Sequence, residues 1–256
     1  VKLKDNIYFE SMIPRFNAII NLNDYSLKNI KKSNRNKIHN AERKGLEIEI
    51  SNENKIKDLF PFIEKKKTRR NINYYKNYFN VFNENDSAEI FLVKINYEKY
   101  LENSKDVYEK ELETNKKYTE NLFRKNTQEN ITRKMNSDNK LISYKNDVIN
   151  ATYGITKDPN KYIAGAFCIK YMNHVHIVIS GYNKIYSNMN PNYFLHNEII
   201  KYYKNKYDYI DLNGITGDFT EKNPYKGLNN FKLGFNPDVY EFLLTTGLLS
   251  KEFKKD

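Results

Sequence analysis

The feature that most constrains this chain is a long polar interruption in its middle. From Asn96 to about Asn150 charged and polar residues dominate, and neither proline nor glycine occurs. The lack of helix breakers favours long helices, and a thin apolar stripe is typical of two helices packed on each other. We predict an antiparallel helical arm that turns at residues 136–139. The stripe consists of Leu101, Tyr108, Leu112, Tyr118 and Leu122.

A solvated coiled coil or a dimer contact would explain the same composition as well. On both sides of the arm the chain alternates between strand and helix patterns. We expect strands over residues 17–22, 46–50, 89–95, 161–170, 174–180 and 207–212, the last broken by Asn213, Gly214 and Gly217. We expect helices over residues 28–44, around Ile56 and Ile63, around Ile72 and Phe82, and from Pro191. This order predicts an α+β domain interrupted by an insertion.

The net charge of +11 favours a polyanionic partner, such as a phosphate polymer or an anionic lipid surface. Solubility alone would explain the total charge equally well, so clustering has to decide. The first predicted helix is strongly basic and has one acid, Glu42. Its basic residues are Lys28, Lys31, Lys32, Arg35, Lys37, Arg43 and Lys44.

The single cysteine, Cys168, cannot form an internal disulfide and lies in an apolar run, as expected of a buried thiol. No apolar stretch is long enough to span a membrane, and the first residues lack the order of a signal peptide. We therefore expect a cytoplasmic protein whose membrane contact, if any, is peripheral.

Four stretches, in a consistent order, resemble the Fem family of aminoacyltransferases that build peptidoglycan bridges. They are KKSNRNKIHNAERKG from Lys31, TRRNINYY from Thr68, the region from Ile163 to Glu198 with SGYNKIYSN and NPNYFLHNE, and YKGLNNFKLGF from Tyr225. The resemblance implies an acetyltransferase-like fold with the helical arm inserted in the second of two such domains. It divides this chain into residues 1–95, the arm at 96–150, and the rest of the domain with a C-terminal return segment at 151–256. Most of the first domain of such proteins is expected to be missing.

The resemblance also implies a function, the transfer of an amino acid from aminoacyl-tRNA to the peptide of a UDP- or lipid-linked muropeptide. The ester bond of aminoacyl-tRNA is already activated. Positioning of the substrates and stabilisation of the oxyanion therefore suffice for catalysis, and we expect no cofactor. By resemblance Lys232 would contact the tRNA terminus and the carbonyl oxygen, while Phe231 and Phe235 anchor its strand or loop. An ordinary surface lysine is the alternative.

The resemblance implies that Thr68, Arg70 and Tyr74 bind the precursor. Arg70 is suited to bind a pyrophosphate oxygen through two hydrogen bonds. A solvated pair of arginines at a helix start is the alternative. For tRNA we expect phosphate contacts from two basic patches. The first comprises Lys31, Lys32, Arg35, Lys37, Arg43 and Lys44, and the arm adds Lys116, Lys117, Arg124, Lys125, Arg133 and Lys134.

Other candidates are weaker. His174 and His176 share a strand face, but no nearby residue completes a metal site, which favours a structural role. Asp211, Glu198 and His196 are candidates for a general base, although capping or packing explains each equally well. Two rival functions remain, a tRNA-binding module without catalysis and an acyl-CoA-dependent N-acetyltransferase, which would need a glycine-rich turn that is absent here. The transferred amino acid and the oligomeric state do not follow from the sequence.

Overall fold

A computed structural model describes residues 16–66, 70–157, 161–218 and 220–241 of the chain. Strands and helices alternate as expected for an α+β protein, and two long helices interrupt them. The elements are β1 (Phe16–Asn21), α1 (Lys32–Arg43), β2 (Leu46–Ser51), α2 (Ile56–Ile63), α3 (Ile72–Asn83), β3 (Ala88–Ile95), α4 (Tyr97–Arg124), α5 (Gln128–Lys157), β4 (Tyr162–Tyr171), β5 (His174–Tyr182), a 3-10 helix (Lys184–Met189), α6 (Pro191–Tyr203), β6 (Tyr209–Ile215), α7 (Lys226–Leu233) and β7 (Asp238–Glu241).

The described strands form one mixed sheet of seven strands in the order β2-β3-β4-β5-β6-β1-β7. All neighbours are antiparallel except β5 and β6, which run parallel. A parallel pair needs a crossover connection, and here α6 provides it. The sheet therefore changes its pairing mode in the middle, between β5 and β6.

Helices cover both faces of the sheet. On one face α1 and α6 pack on a large core that includes Ile38, Leu195 and Ile199. On the other face α2 and α3 pack on a smaller core. Strand β3 shows the alternation that this sandwich requires, because Phe91 belongs to the first core and Leu92 to the second. The predicted burial of Cys168 is confirmed, since its side chain lies wholly within the first core.

The two long helices are inserted between β3 and β4, which are adjacent in the sheet. Polar contacts join the two helices: Asn115 Nδ2 donates to Ser137 Oγ at 3.0 Å and to Asp138 Oδ1 at 2.8 Å. The predicted turn at residues 136–139 was wrong, because these residues lie inside α5. The connection is instead at residues 125–127, where Asn130 N donates to the Thr127 hydroxyl and Asn130 Nδ2 donates to the Lys125 carbonyl.

Three other element predictions need correction. The first helix begins at Lys32 and not at residue 28, because Arg35 donates to the carbonyls of Leu27 and Lys28 and holds that segment as a loop. Strand β6 continues through Asn213 to Ile215, since Asn213 adopts a φ of 71° at an irregularity in the register with β1. The FKLGF segment is the end of helix α7 and not a strand or loop.

Within the described residues, no helix combines the length and apolar character that a membrane span requires.

Candidate functional site

The parallel strands β5 and β6 separate part-way along their length. They pair at three positions, of which His176 with Asp211 is the last. Both strands then continue, β5 to Tyr182 and β6 to Ile215. Asn213 reaches across the opening, where its Nδ2 donates to the Val178 carbonyl at 3.4 Å. Beyond the last pair, side chains therefore bond the backbone carbonyls that face the opening, those of Val178 and Gly214.

Lys232 places its amine at this opening. It lies in α7, its surface is 8% exposed, and its Nζ donates to the carbonyl of Gly214 in β6 at 2.7 Å. Burial lowers the pKa of Lys232 to about 8, against an opposing effect of the Asp211 carboxylate and a further lowering by Lys66. Lys232 is therefore a buried amine whose pKa is close to neutral pH.

Helix α7 is fixed against the start of α1 and against α6. Asn34 Nδ2 donates to the Phe231 carbonyl at 3.0 Å, and the backbone N–H of Lys31 donates to the Gly234 carbonyl at 2.9 Å. A Cβ at Gly234 would lie only 2.2 Å from Asn34 Nδ2, so a side chain there would displace the Asn34 amide from its bond to Phe231. The FKLGF segment and the basic helix are thus direct neighbours.

Phe231 and Phe235 are both buried, as a role in anchoring Lys232 requires. The Phe231 ring meets His196 and Tyr193 edge-on, with centroids 4.8 and 4.9 Å apart. These aromatic contacts connect α7 to α6.

His196 is buried beside Lys232. Its Nδ1 lies 2.9 Å from the Asn192 carbonyl oxygen, which can only accept, so Nδ1 carries the proton. Its Nε2 is 3.5 Å from Ser180 Oγ. Burial, opposed by the hydrogen bond to Asn192 and aided by the charges of Lys232 and Lys66, lowers the pKa of His196 to about 3. A neutral imidazole of this kind is a packing and hydrogen-bonding group and a poor general base at neutral pH.

Asp211 is 3% exposed and accepts several hydrogen bonds. Asn17 Nδ2 donates to its Oδ2 at 2.7 Å, and the backbone N–H of Asn213 donates to Oδ1 at 2.6 Å. His176 Nδ1 lies 3.2 Å from Oδ2. This carboxylate, which the sequence only suggested as a general base, instead holds neighbouring groups in place.

The loop between β6 and α7 is built around two buried asparagines. Asn229 Nδ2 donates to the carbonyl and hydroxyl of Thr216, and its Oδ1 accepts from the Thr216 N–H. Asn223 Oδ1 accepts from the Tyr225 N–H at 2.8 Å. These bonds fix the start of α7 relative to the end of β6, and so the position of Lys232.

The residues predicted to bind the precursor lie before and within α3. Thr68 is outside the described residues. Arg70 is exposed, and its backbone N–H donates to the Tyr75 hydroxyl at 3.3 Å. Tyr74 is also largely exposed and contacts the rings of Tyr75 and Tyr78. Arg70 and Tyr74 are therefore accessible, near the N-terminus of one helix.

The basic residues of α1 differ in their surroundings. Lys31 and Lys32 are exposed, and Lys37 Nζ donates to the Tyr193 hydroxyl at 2.7 Å. Arg43 and Lys44 both pair with Asp147 of α5, at 3.0 and 3.1 Å. Lys44 is buried in that contact, which removes it from the RNA-binding set that the sequence suggested.

The arm residues Lys116, Lys117, Arg124 and Lys125 are exposed near the end of the helical pair. At 1.5 Å per residue they lie about 30–40 Å from the start of α4 at Tyr97. They form a second basic surface, separate from α1. Arg133 and Lys134 instead pair with Glu129 and Asp138 along α5. Among the described residues no cluster of three or more His, Cys, Asp or Glu could hold a metal ion.

The sequence profile of the FemAB family matches residues 5–246. The chain belongs to the FemAB family. Two lipid II:glycine glycyltransferases, from Staphylococcus epidermidis (strain ATCC 35984) and Staphylococcus haemolyticus (strain JCSC1435), are each 23% identical to it over 233 and 238 residues. The matches cover 88% of this chain but 55% and 54% of those proteins, so the chain spans about half the length of the curated relatives it matches.

The crystal structure of FemX has a similar fold, with a TM-score of 0.67 and 17% sequence identity. The match covers 97% of this chain and 66% of the FemX chain. The chain therefore shares its fold with FemX over nearly its whole length.

Several groups around Lys232 in this FemAB protein did not follow from sequence reasoning. The Gly214 carbonyl carries no sequence signal, because any residue offers one. The contact of Asn34 with Phe231 joins residues 197 positions apart and needs the folded chain. Asn223 lies in the loop before α7 and Asn229 lies within α7. In the sequence, the Asn and Asp residues around Gly217 were the only sign of an ordered turn here.

Proposed function

We propose that this chain is an aminoacyltransferase that moves an amino acid from aminoacyl-tRNA to an amine of a lipid-linked peptidoglycan precursor. The observation that carries the proposal is the buried amine of Lys232, held on the Gly214 carbonyl where β5 and β6 separate. The family membership and the names of the glycyltransferase relatives support the reaction class. The splayed pair of parallel strands supports an acetyltransferase-like fold.

The reaction forms a C–N bond between the attacking amine and the ester carbonyl and breaks the bond from that carbon to the ribose oxygen. Negative charge develops on the carbonyl oxygen in the tetrahedral intermediate. A cationic donor placed in advance in a poorly solvated site stabilises this charge more than the substrate's neutral carbonyl. Lys232 has that character, and the Gly214 carbonyl keeps its amine oriented until substrate arrives.

The other substrate contacts are part of the same proposal. Arg70 and Tyr74, with Thr68, bind the precursor at the start of α3. The exposed cations of α1 and of the helical pair, which acts as an antiparallel coiled-coil arm, bind the phosphates of tRNA. A lipid-linked acceptor brings the protein to the membrane surface.

The test is a transfer assay with lipid II and a panel of glycyl-, alanyl-, seryl- and lysyl-tRNA. We expect one of these to support peptide-bond formation, and Lys232→Ala to lower kcat by about 10²-fold, the usual cost of removing an oxyanion donor. Since the pKa of Lys232 is about 8, activity should also fall as the pH rises through that value. Binding of tRNA with no transfer of any amino acid would instead support a binding module, and unchanged turnover in Lys232→Ala would remove its assigned role.

A further inference from the structure

His176 lies at the point where β5 and β6 part, on the residue pair that ends their hydrogen-bonded register. Its side chain is 50% exposed, whereas its partner Asp211 is 3% exposed. A half-exposed imidazole whose Nδ1 contacts a buried carboxylate has one nitrogen fixed by that contact. This arrangement differs from that of His196, which is enclosed on all sides.

The contacts of Asp211 fix the proton on His176. The carboxylate oxygens accept from Asn17 Nδ2 and from the Asn213 N–H, so they act as acceptors towards their neighbours. His176 Nδ1, 3.2 Å from Oδ2, is then the N–H of the neutral ring. Nε2 consequently carries the lone pair and can accept a proton from an incoming group.

The proposed reaction needs such a group. An amine of the precursor is an ammonium ion in water, and it must lose one proton before it can attack an ester. Once the C–N bond has formed, the nitrogen loses a second proton, and the departing ribose oxygen gains one. Lys232 is suited to the carbonyl oxygen as a donor, and a separate acceptor for the ammonium proton is required.

We propose that His176, oriented by Asp211, is the general base that takes the proton from the attacking ammonium ion; this inference rests on the proposed function. Asp211 is the positioning residue and does not exchange the proton itself. Nε2 of His176 receives the first proton from the ammonium, and the amine nitrogen then bonds to the ester carbon. The ribose oxygen leaves with a proton that His176 returns, and the second proton from nitrogen restores the protonated imidazole, which loses it to solvent.

The position of His176 relative to Lys232 suits this division of labour. Lys232 is bound to Gly214, three residues along β6 from Asp211, and the charge of Asp211 raises the pKa of Lys232, so the two side chains lie within electrostatic reach of each other. His176 contacts this same carboxylate, so a donor for the carbonyl oxygen and an acceptor for the ammonium proton have Asp211 as a common neighbour. Lys66 and Lys232 are the cations that share this region with Asp211.

His174 offers a matched control. It lies two residues earlier on the same face of β5, but its ring stacks on Tyr209 and its Nδ1 contacts the side chain of Asn173 at 2.7 Å. It therefore shares the strand and the chemistry of His176 but pairs with no carboxylate of the part of the chain that the structure describes.

The test compares His176→Gln, His174→Gln and Asp211→Asn with the parent chain in steady-state transfer from the preferred aminoacyl-tRNA to lipid II. We expect His176→Gln to lower kcat by about 10²-fold with little change in KM, in line with the loss of a general base. His176→Gln should also lose the acidic limb of the pH–rate profile, and added imidazole should restore part of the activity of His176→Gly. His174→Gln should match the parent.

Nitrogen NMR of the imidazoles provides a readout that is independent of activity. The parent should show His176 as the Nδ1–H tautomer, and Asp211→Asn should perturb that signal. The inference is overturned if the parent transfers and His176→Gln keeps its kcat and its acidic limb, or if NMR places the proton on Nε2. If the parent transfers no amino acid, the result contradicts the proposed function, and the inference about His176 is then overturned as well.

Discussion

At the scale of single residues, burial separates the roles of the two histidines near the opening. His196 is enclosed beside Phe231 and Lys232, and its pKa is lowered to about 3. His176 is half exposed and has a carboxylate partner. The sequence suggested His196 as a candidate for a general base and gave His176 a structural role. Neither the burial of His196 nor the contact of His176 with Asp211 in β6 can be predicted from a strand or helix pattern.

His196 should make the protein sensitive to acid. Between pH 6.5 and about 3 the unfolded chain binds a proton that the folded chain excludes, so stability falls as the pH falls through this range. At pH 5 this corresponds to about 2 kcal/mol relative to pH 7. His196→Gln should remove that part of the loss. Urea unfolding of the parent and the variant at both pH values measures it, and an equal loss of stability in the two proteins would contradict the prediction.

At the scale of elements, the helical pair contacts the domain through a buried carboxylate as well as through apolar residues such as Tyr100 and Ala151. Asp147 of α5 accepts from the Tyr100 hydroxyl at 2.8 Å and pairs with Arg43 and Lys44 of the α1 end. Burial raises the pKa of Asp147, but the hydrogen bond from Tyr100 and the charge of Lys44 outweigh it, so the net effect lowers the pKa. Asp147 therefore links both helices of the pair to the end of α1.

Asp147→Asn should destabilise the protein by about 3 kcal/mol, because it leaves Lys44 buried without a counter-charge. Hydrogen exchange should show the loss first near the base of α4 and α5. The matched control is Asp106→Asn, which removes an exposed pair with Lys110 in α4 and should change the free energy of unfolding by less than about 0.5 kcal/mol. Equal effects of the two substitutions on urea unfolding would show that Asp147 is not the connection.

Most helices and strands could be predicted from the sequence because their apolar residues repeat with a clear period. The connection of the helical pair could not, since the Asn- and Ser-rich residues 136–139 have the composition of a turn, while Ser137 contacts Glu111 and Asn115 inside the packed pair. The parallel pairing of β5 and β6 could not be predicted from the sequence either. Periodicity gives the faces of a strand but not its neighbour, and the candidate site depends on that neighbour.

At the scale of the whole molecule, the positive charge is divided between two surfaces. Lys31 and Lys32 flank the FKLGF helix, whereas Lys116, Lys117, Arg124 and Lys125 lie far out on the helical pair. A ligand that contacts both must extend over tens of ångströms, as a folded RNA does and a nucleotide or coenzyme does not. The location of the charges thus supports a tRNA donor more strongly than the net charge of +11 does.

This division predicts how RNA binding should depend on salt. Replacing Lys116, Lys117, Arg124 and Lys125 with glutamine removes up to four phosphate contacts, so the slope of log K against log salt should become shallower by about 3. A control variant that replaces four exposed lysines elsewhere, Lys57, Lys65, Lys206 and Lys222, has the same net charge and should keep the slope of the parent. Filter binding of tRNA from 50 to 300 mM salt, roughly the range in which such contacts weaken, distinguishes them. Because the two variants differ only in where the charge was removed, an equal decrease would mean that tRNA senses total charge and not the helical pair.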